Sequence, residues 1–240
     1  MNRRYAIINA DDFGQSPGAN RGVIQAHERG VLTSTSLMVR WPAAEEAAGY
    51  ARRRPELGVG LHLDFGEWAY RDGDWVRLYG VVDETDTHAV AAEVQSQMAA
   101  FERLVGRRPT HIDSHQHRHR HEPAESIVRD IARRLEIPVR DVSVPYCGKF
   151  YGQDERGVSH PEWISAEAFI EILSGLGGGP VEIGCHPAAE DDLDTMYRAE
   201  RLIELETLCD ARVRGAIEEL GIELRSFGNW RSDHGRDLFA

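Results

Sequence analysis

The sequence predicts a single α/β domain in which most of the strands run parallel. Short apolar segments with the character of strands alternate with amphipathic segments of helical character along all 240 residues, which is the order of a parallel sheet with crossover helices. No internal repeat or low-complexity linker interrupts this order. Chemically reactive side chains directly follow several of the apolar segments, as they do where the carboxyl ends of parallel strands form an active site. We therefore expect one domain over residues 1–240, with a frayed tail from about residue 231.

The predicted elements of the first half follow one another at short intervals. Continuous apolar runs indicate buried strands, and apolar residues spaced three to four apart indicate helices. A proline near the first turn or a glycine after the last turn marks the helix ends. These signals predict strands at 5–8, 34–39 and 57–63 and helices at 20–29, 42–53 and 87–105. Residues 64–82, rich in Gly, Asp, Trp and Tyr, are predicted to be an irregular loop that either lines a substrate groove or covers the core.

The second half continues the alternation after a histidine-rich segment at residues 110–121. Ser165 has the side chain of a helix N-cap, and a chain break is expected at Gly177-Gly178-Gly179-Pro180. The same signals predict helices at 122–135, 165–176 and 196–220, strands at 139–144, 180–185 and 222–226, and a loop at 145–161.

The histidine-rich segment carries the strongest chemical signal. It contains five of the chain's 11 histidines and one aspartate, all at odd positions: His111, Asp113, His115, His117, His119 and His121. Residues two apart face the same side of an extended strand, so an extended segment would gather these side chains on one face. Imidazole and carboxylate together suit zinc or a similar divalent ion. The alternative interpretation is a solvated basic loop.

Three other predicted strands also end in polar side chains. Asp11 and Asp12 follow the first strand, His62 closes the third, and His186 follows the strand at 180–185. Taken singly, a solvated turn explains the two aspartates and core packing explains His62. Their joint position at strand ends favours a metal site, since one carboxylate and two imidazoles leave coordination positions open for water and substrate. A carboxylate that is not a ligand can then act as a base.

The composition argues against several classes of function. A net charge of −12 lacks the basic excess of a general nucleic-acid binder. No segment reaches the roughly 18–20 apolar residues needed to span a membrane, and the apolar run after Arg3 and Arg4 is too short for the core of a signal peptide. Three cysteines without a recognisable spacing favour a reducing, cytoplasmic location. The oligomeric state stays open, with a homodimer the commonest arrangement.

Four motifs resemble those of the YdjC-like carbohydrate deacetylases, a family that includes chitooligosaccharide and hopanoid-pathway deacetylases. The motifs are Asn9-Ala10-Asp11-Asp12-Phe13-Gly14, Gly60-Leu61-His62-Leu63, Thr110-His111-Ile112-Asp113-Ser114-His115-Gln116-His117 and Cys185-His186-Pro187. The first and third are specific, whereas the second and fourth would be weak alone. The resemblance implies a distorted (β/α) barrel and a hydrolase that uses one divalent metal ion on an N-acetylated sugar or oligosaccharide.

The resemblance also implies a role for each site residue. Asp12, His62 and His115 would be the metal ligands, Asp11 the catalytic base and His186 the candidate acid. Zinc or magnesium is the expected metal, and manganese or cobalt would also fit. Departures from the family pattern at 63–66 and at 118–121 fall in loops that would contact the substrate, so the particular sugar stays open.

The remaining residues of the histidine-rich segment have less specific expectations. His111 and His117 would either support the site and line a groove or simply pack with their hydrogen bonds satisfied. Asp113 would orient a ligating imidazole in the same way. His119 and His121 are predicted to face solvent.

Two other functions remain open at this level. One is a metallo-phosphoesterase or amidohydrolase on a similar barrel, in which runs of histidine and aspartate often hold two metals. The other is a non-catalytic, histidine-rich metal-binding protein, in which the segment around His115 would bind metal without Asp12 or His62.

Overall fold

The computed structural model describes residues 3–229, which contain nine strands and seven α-helices. The strands are β1 (Arg4–Phe13), β2 (Ser34–Leu37), β3 (Gly58–Leu63), β4 (Gly66–Arg71), β5 (Asp74–Gly80), β6 (Ile112–Ser114), β7 (Tyr146–Cys147), β8 (Gly179–Cys185) and β9 (Ile222–Leu224). The helices are α1 (Pro17–Arg29), α2 (Ala44–Arg53), α3 (Thr87–Val105), α4 (Ala124–Leu135), α5 (Ala166–Ser174), α6 (Ala199–Leu208) and α7 (Ala211–Glu219).

Seven of the strands form one parallel sheet that curls into a half-barrel. The strand order is β6-β3-β2-β1-β8-β7, and β9 pairs in parallel with the first residues of β1. Only isolated bridges lie between the two outer strands, where Ile112 pairs with Val139 and Arg140 with Val144. This incomplete seam distorts the barrel. The predicted class, a mostly parallel distorted (β/α) barrel in a single domain, is confirmed.

The central strand is buried along nearly its whole length, because it has a neighbour on each edge and helices cover the sheet. From Tyr5 to Phe13 every residue of β1 is buried, as is expected of a parallel strand whose two faces are both covered. The helices begin at side-chain caps: Ser16 accepts a hydrogen bond from Ala19 N at the start of α1, and Asp86 accepts two at the start of α3.

Two predicted elements of the first half differ from the structure. The segment 64–82, predicted to be an irregular loop, contains the antiparallel hairpin β4–β5. The histidine-rich segment is extended only at Ile112–Ser114 and then enters a 3₁₀ turn at His115–Arg120. Gln116 and His117 have φ values of 50° and 54° in this turn, so the odd-numbered side chains beyond Ser114 do not share one face.

Two predicted elements of the second half also differ. The segment 139–144 is not a regular strand, because it makes only the isolated bridges of the barrel seam. The helix predicted at 196–220 is instead two helices, α6 and α7. The chain breaks between them before Asp210, whose side chain caps α7 by accepting a hydrogen bond from Arg212 N. The tail predicted to fray from about residue 231 lies outside the described residues.

None of the helices between residues 3 and 229 has both the length and the apolar character needed to cross a membrane.

Gly60 provides a test of the packing beneath the site. A Cβ added to Gly60 would lie 2.5 Å from two ring atoms of His111, and that ring is stacked on Phe227 at a centroid distance of 4.0 Å. We expect Gly60→Ala to lower the free energy of unfolding by about 1–3 kcal/mol, because the ring has no room to retreat. Urea denaturation measures the change.

Gly215 is the matched control, since a Cβ added there meets no atom within 4 Å. It lies in α7, where alanine is the better helix former, so Gly215→Ala should raise the free energy of unfolding by about 0.5–1 kcal/mol. Equal effects of the two substitutions would contradict the packing described for His111.

Candidate metal and catalytic site

A β-bulge brings two adjacent carboxylates to the same cavity. Adjacent residues of a regular strand point to opposite faces. In β1, however, Ala10 pairs with Thr35 and Phe13 with Leu37, so two residues stand opposite one and the register shifts. Asp12 adopts a left-handed φ of 63° within this bulge. Asp11 and Asp12 consequently both line the cavity at the carboxyl edge of the sheet.

His62 is oriented by the strand beside it. The residue paired with it in β6 is Asp113, whose Oδ1 lies 2.8 Å from His62 Nδ1. A carboxylate at one ring nitrogen fixes the orientation of an imidazole and leaves the other nitrogen for a ligand. His62 Nε2 lies 3.3 Å from Asp12 Oδ1, at the floor of the cavity.

His115 completes a buried group of three donors. It follows β6 directly, and its Nδ1 lies 3.1 Å from the same Asp12 Oδ1. One donor atom from each of Asp12, His62 and His115 lies within 4.8 Å of the other two. The Nε2 atoms of both histidines are buried and have no hydrogen-bond partner in the described part of the chain. The group could therefore hold a metal ion, and carboxylate with imidazole is a fitting donor set.

The charges around these donors favour a cation. Burial alone lowers the pKa of His62, but the carboxylates of Asp11 and Asp113 outweigh it and raise that pKa to about 10. Burial also lowers the pKa of His115, and the carboxylate of Asp12 reverses this and raises it to about 9. The imidazoles therefore lie in a strongly negative potential.

Asp12 itself is held by a cation on its far side. Burial raises the pKa of its carboxyl group, but the Arg201 guanidinium and His115 hold that pKa well below its usual range. Arg201 Nη2 donates to Asp12 Oδ2 at 2.7 Å, which leaves Oδ1 directed towards the two histidines. Arg201 thus fixes which oxygen of Asp12 faces a metal.

Arg140 connects three carboxylates inside the barrel. Its Nη1 and Nη2 donate to the two oxygens of Asp11 at 2.7 and 2.6 Å, and Nη2 also lies 2.8 Å from Asp113 Oδ2. Its Nε donates to Glu182 Oε1 at 2.8 Å. All four side chains are buried. We call Arg140, Asp11, Asp113 and Glu182 the Arg140 cluster.

The cluster leaves its acids in different states. Burial raises the pKa of Asp11, but Arg140 and then His62 outweigh that effect and lower it. Burial raises the pKa of Glu182 to about 7, since Arg140 offsets only part of the cost of ionising it. Asp11 is therefore an ionised carboxylate at neutral pH, which a base requires.

A second group of three donors has the spacing of a metal site. One atom from each of Asp11, His62 and Asp113 also lies within 4.8 Å of the others. Arg140 Nη2 already contacts Asp11 Oδ1 at 2.6 Å and Asp113 Oδ2 at 2.8 Å. The guanidinium supplies the positive charge that these carboxylates need, so the geometry favours one metal ion rather than two.

His186 faces Asp11 across the cavity. It follows β8, the neighbour of β1, and its Nε2 lies 3.8 Å from Asp11 Oδ2. The rings of Tyr151 and Tyr197 meet it edge-on at centroid distances of 5.6 and 5.5 Å. Its Nδ1 has no hydrogen-bond partner among residues 3–229 and lies 3.8 Å from Glu204 Oε1. A histidine and a carboxylate thus flank the same space.

The reaction cavity, as we call this space, has a volume of about 280 Å³. Five of the residues singled out in the sequence line it together: Asp11, Asp12, His62, His115 and His186. His117 lines it as well, and burial lowers the pKa of its imidazole to about 3. These residues come from the carboxyl ends of four parallel strands, as their positions in the sequence indicated.

The other histidines of the segment have different surroundings. His111 does not line the cavity: it is buried against Phe227, and its Nε2 lies 3.0 Å from Ser36 Oγ. The prediction that His119 faces solvent is wrong, because the left-handed turn directs it inward. It is 2% exposed and its Nδ1 bonds to Ser114 Oγ. His121 is exposed, as predicted.

Several important residues were not found from the sequence. The sequence did contain a sign that Glu182 is important, because a charged residue inside an apolar strand must have a buried partner. Arg140 stood in a segment predicted to be a strand, where the same argument applied. No feature of the sequence distinguishes Arg201, since it lies in a segment rich in Glu and Arg.

The chain is similar to known proteins in sequence and in structure. The model of the YdjC-like protein family matches residues 5–219. A carbohydrate deacetylase of Geobacillus stearothermophilus is 33% identical over 241 residues, covering 93% of this chain and 97% of the relative. A chitooligosaccharide deacetylase of Salmonella dublin is 33% identical over 256 residues, covering 93% and 98%.

A solved structure agrees with these relatives in fold. A protein of Enterococcus faecalis V583, provisionally described as a cellobiose-phosphate cleavage protein, is similar with a TM-score of 0.74 and 30% identity. The similarity covers 94% of this chain and 98% of that one.

Replacing Arg140 by methionine tests the cluster. Removing the guanidinium would leave three buried carboxyl groups without their cation, so we expect Arg140→Met to lower the free energy of unfolding by about 3–5 kcal/mol. The control is Arg212→Met, which removes an arginine that pairs with Asp210 and Glu167 at the surface and is 60% exposed. That change should lower the free energy of unfolding far less, because water screens an ion pair at the surface. Similar losses in urea denaturation would refute the importance given to the cluster.

Proposed function

This chain belongs to the YdjC-like protein family, and from that premise we propose that it is a metal-dependent hydrolase that removes acetyl groups from N-acetylated carbohydrates. The resemblance of the four sequence motifs to this family is confirmed by the match over residues 5–219. The relatives named carbohydrate deacetylase and chitooligosaccharide deacetylase support the reaction and a carbohydrate substrate.

One observation of the structure carries the proposal. The buried imidazoles of His62 and His115 each place one ring nitrogen close to Asp12 Oδ1, at 3.3 and 3.1 Å, and one donor atom from each of the three residues lies within 4.8 Å of the other two. A separate carboxylate, Asp11, and a separate imidazole, His186, face the same cavity. Hydrolysis of an amide needs both groups of residues. A metal-binding group is needed to polarise the carbonyl group, and a separate base and acid are needed to move protons.

We assign Asp12, His62 and His115 as the residues that hold the metal. A divalent cation there would supply Lewis-acid chemistry to the acyl carbonyl and to the attacking water. The donor set suits zinc, and magnesium, manganese and cobalt are the alternatives that metal analysis of the purified protein would separate.

Asp11 is the proposed base. Its Oδ2 accepts one hydrogen bond from Arg140 Nη1 and faces the cavity, so a lone pair is available for the proton of the attacking water. Arg140 holds both carboxylate oxygens and thereby fixes the direction of that lone pair. The water oxygen bonds to the acyl carbon as its proton moves to Asp11.

His186 is the proposed acid. Its Nε2, 3.8 Å from Asp11 Oδ2, reaches the same reacting centre from the other side. A proton from the ring passes to the amide nitrogen as the carbon–nitrogen bond breaks, so that acetate and the free sugar amine leave. Without this proton the departing nitrogen would carry an unfavourable negative charge.

The main experiment is a screen for acetate release. N-acetylglucosamine, its oligomers and related amino sugars are incubated with the protein, with and without chelator, and we expect release that chelation abolishes. Two tightly bound ions per chain would instead favour the phosphoesterase or amidohydrolase alternative. Metal affinity untouched by His62→Ala would favour a non-catalytic histidine-rich metal binder.

Asp11→Asn separates the base from the ligands. We expect the variant to keep its metal while kcat falls by about 10²–10⁴, because the amide cannot take a proton. Metal content by mass spectrometry and acetate release measure the two effects. The control is His62→Ala, which should lose metal and turnover together. Loss of metal in Asp11→Asn would mean that the two aspartates have exchanged or shared roles.

His186→Ala tests the acid. The expected result is a fall in kcat of at least about 10² with the metal retained, since no other donor is assigned to the leaving nitrogen. His88→Ala, a change at an exposed histidine of α3, is the control and should leave turnover near that of the parent. Near-normal rates in His186→Ala would remove it as the acid.

A further inference from the structure

A second cavity adjoins the reaction cavity. It has a volume of about 430 Å³ and is lined by Trp68, Trp75, Gln116, Arg118, Tyr151 and Met196. Four of these residues also line the reaction cavity: Trp68, Gln116, Tyr151 and Met196. The two spaces therefore lie side by side along these four residues. Ligand pockets commonly enclose about 300–1,000 Å³, so the reaction cavity, at about 280 Å³, has room for one small unit of a larger ligand.

Trp75 presents an aromatic face to the second cavity. It is 45% exposed, so a large part of its ring is open to a ligand. Tyr70, its cross-strand partner, meets its ring edge-on at a centroid distance of 5.8 Å. The ring is thus supported from its own strand pair, and it can serve as a platform for the apolar face of a sugar.

Trp68 adds an unused hydrogen-bond donor at the junction. Its indole Nε1 is buried and has no hydrogen-bond partner in the described part of the chain. A buried indole N–H normally finds an acceptor. Because Trp68 lines both cavities, a ligand that crosses from one to the other can supply the missing acceptor.

The hairpin that carries both tryptophans is fixed to the metal site. Gln116 Nε2 donates to Trp68 O at 2.7 Å, and Trp68 N donates to Gln116 Oε1 at 2.9 Å. Gln116 directly follows His115. In addition, Glu67 of β4 accepts from Thr195 Oγ1 at 2.7 Å and lies 3.8 Å from His115 Nε2. These contacts of Gln116 and Glu67 thus fix the position of the hairpin relative to His115.

We propose that Trp68 and Trp75 of the β4–β5 hairpin form a second sugar-ring subsite, which binds the unit linked to the one that reacts. The ring of that unit stacks on Trp75, and a hydroxyl or linkage oxygen accepts from Trp68 Nε1. The two residues then determine the preference for chain length, because only a ligand of at least two linked rings can contact them while its acetylated unit occupies the reaction cavity. This inference rests on the proposed function for the reaction itself.

The test compares N-acetylglucosamine with N,N′-diacetylchitobiose. The quantity measured is kcat/KM for the dimer divided by kcat/KM for the monomer. Trp75→Ala should lower this ratio about tenfold, chiefly by raising KM for the dimer, because a uniform binding contact is lost. Trp75→Phe should keep most of the ratio, since it retains an aromatic face.

Two further variants control the experiment. Trp163→Ala removes a tryptophan that is similarly exposed at 42% and lines neither cavity, and it should leave the ratio unchanged. Trp68→Phe keeps a ring but removes the N–H, and it should lower kcat/KM for the dimer. The two hydrogen bonds between Gln116 and the hairpin survive this change, because Gln116 binds the backbone of residue 68.

Binding provides a measurement that needs no turnover. In the Asp11→Asn protein, calorimetric titration with N,N′-diacetylchitobiose should show about tenfold weaker binding when Trp75→Ala is added. Equal losses for monomer and dimer, an unchanged ratio, or dimer binding indifferent to Trp75→Ala would overturn the subsite. Absence of acetate release from both sugars with Trp75-dependent dimer binding would instead refute the proposed reaction and support the subsite.

Discussion

The guanidinium of Arg140 is the interaction on which the rest of the site depends. Three strands and the barrel seam direct acidic or basic side chains into a buried region, where carboxylates repel one another strongly. A planar guanidinium with several donors can bind Asp11, Asp113 and Glu182 at once, which an ammonium group cannot do with the same geometry. A buried pair of this kind is better evidence for defined geometry than for stability.

The geometry of the proposed metal ligands follows from that cluster by short steps. Arg140 holds Asp113, Asp113 holds Nδ1 of His62, and His62 then directs Nε2 towards Asp12. Arg201, which also lines the reaction cavity, orients Asp12 by donating to its Oδ2. Because every link is a charge-assisted contact in a buried region, the donors are placed before any ligand arrives, which lowers the cost of organising them.

Backbone strain also occurs at this edge of the sheet. Three of the six non-glycine residues with positive φ between residues 3 and 229 lie there, namely Asp12, Gln116 and His117. A left-handed conformation costs a residue with a Cβ roughly 1–2 kcal/mol. At Asp12 this strain accompanies the bulge that brings two carboxylates together. At Gln116 and His117 it turns the chain out of β6, so that Gln116 can fasten the hairpin. The barrel thus carries the proposed catalytic and metal-binding groups, and the proposed sugar subsite lies on a hairpin at its rim.

Local patterns in the sequence determined the parallel α/β class and the strand ends at which Asp11, Asp12, His62 and His186 lie, because parallel strands align their carboxyl ends in one plane. The odd-numbered histidines led to a wrong prediction of one extended face, and the reason is physical. Alternate residues share a face only while the backbone stays extended, and the chain adopts left-handed φ values directly after His115. Tertiary structure alone decided the partners of the charges. Arg140 and Arg201 meet Asp11 and Asp12 across 129 and 189 residues of sequence, and nothing within a local window specifies which buried charges will neutralise each other.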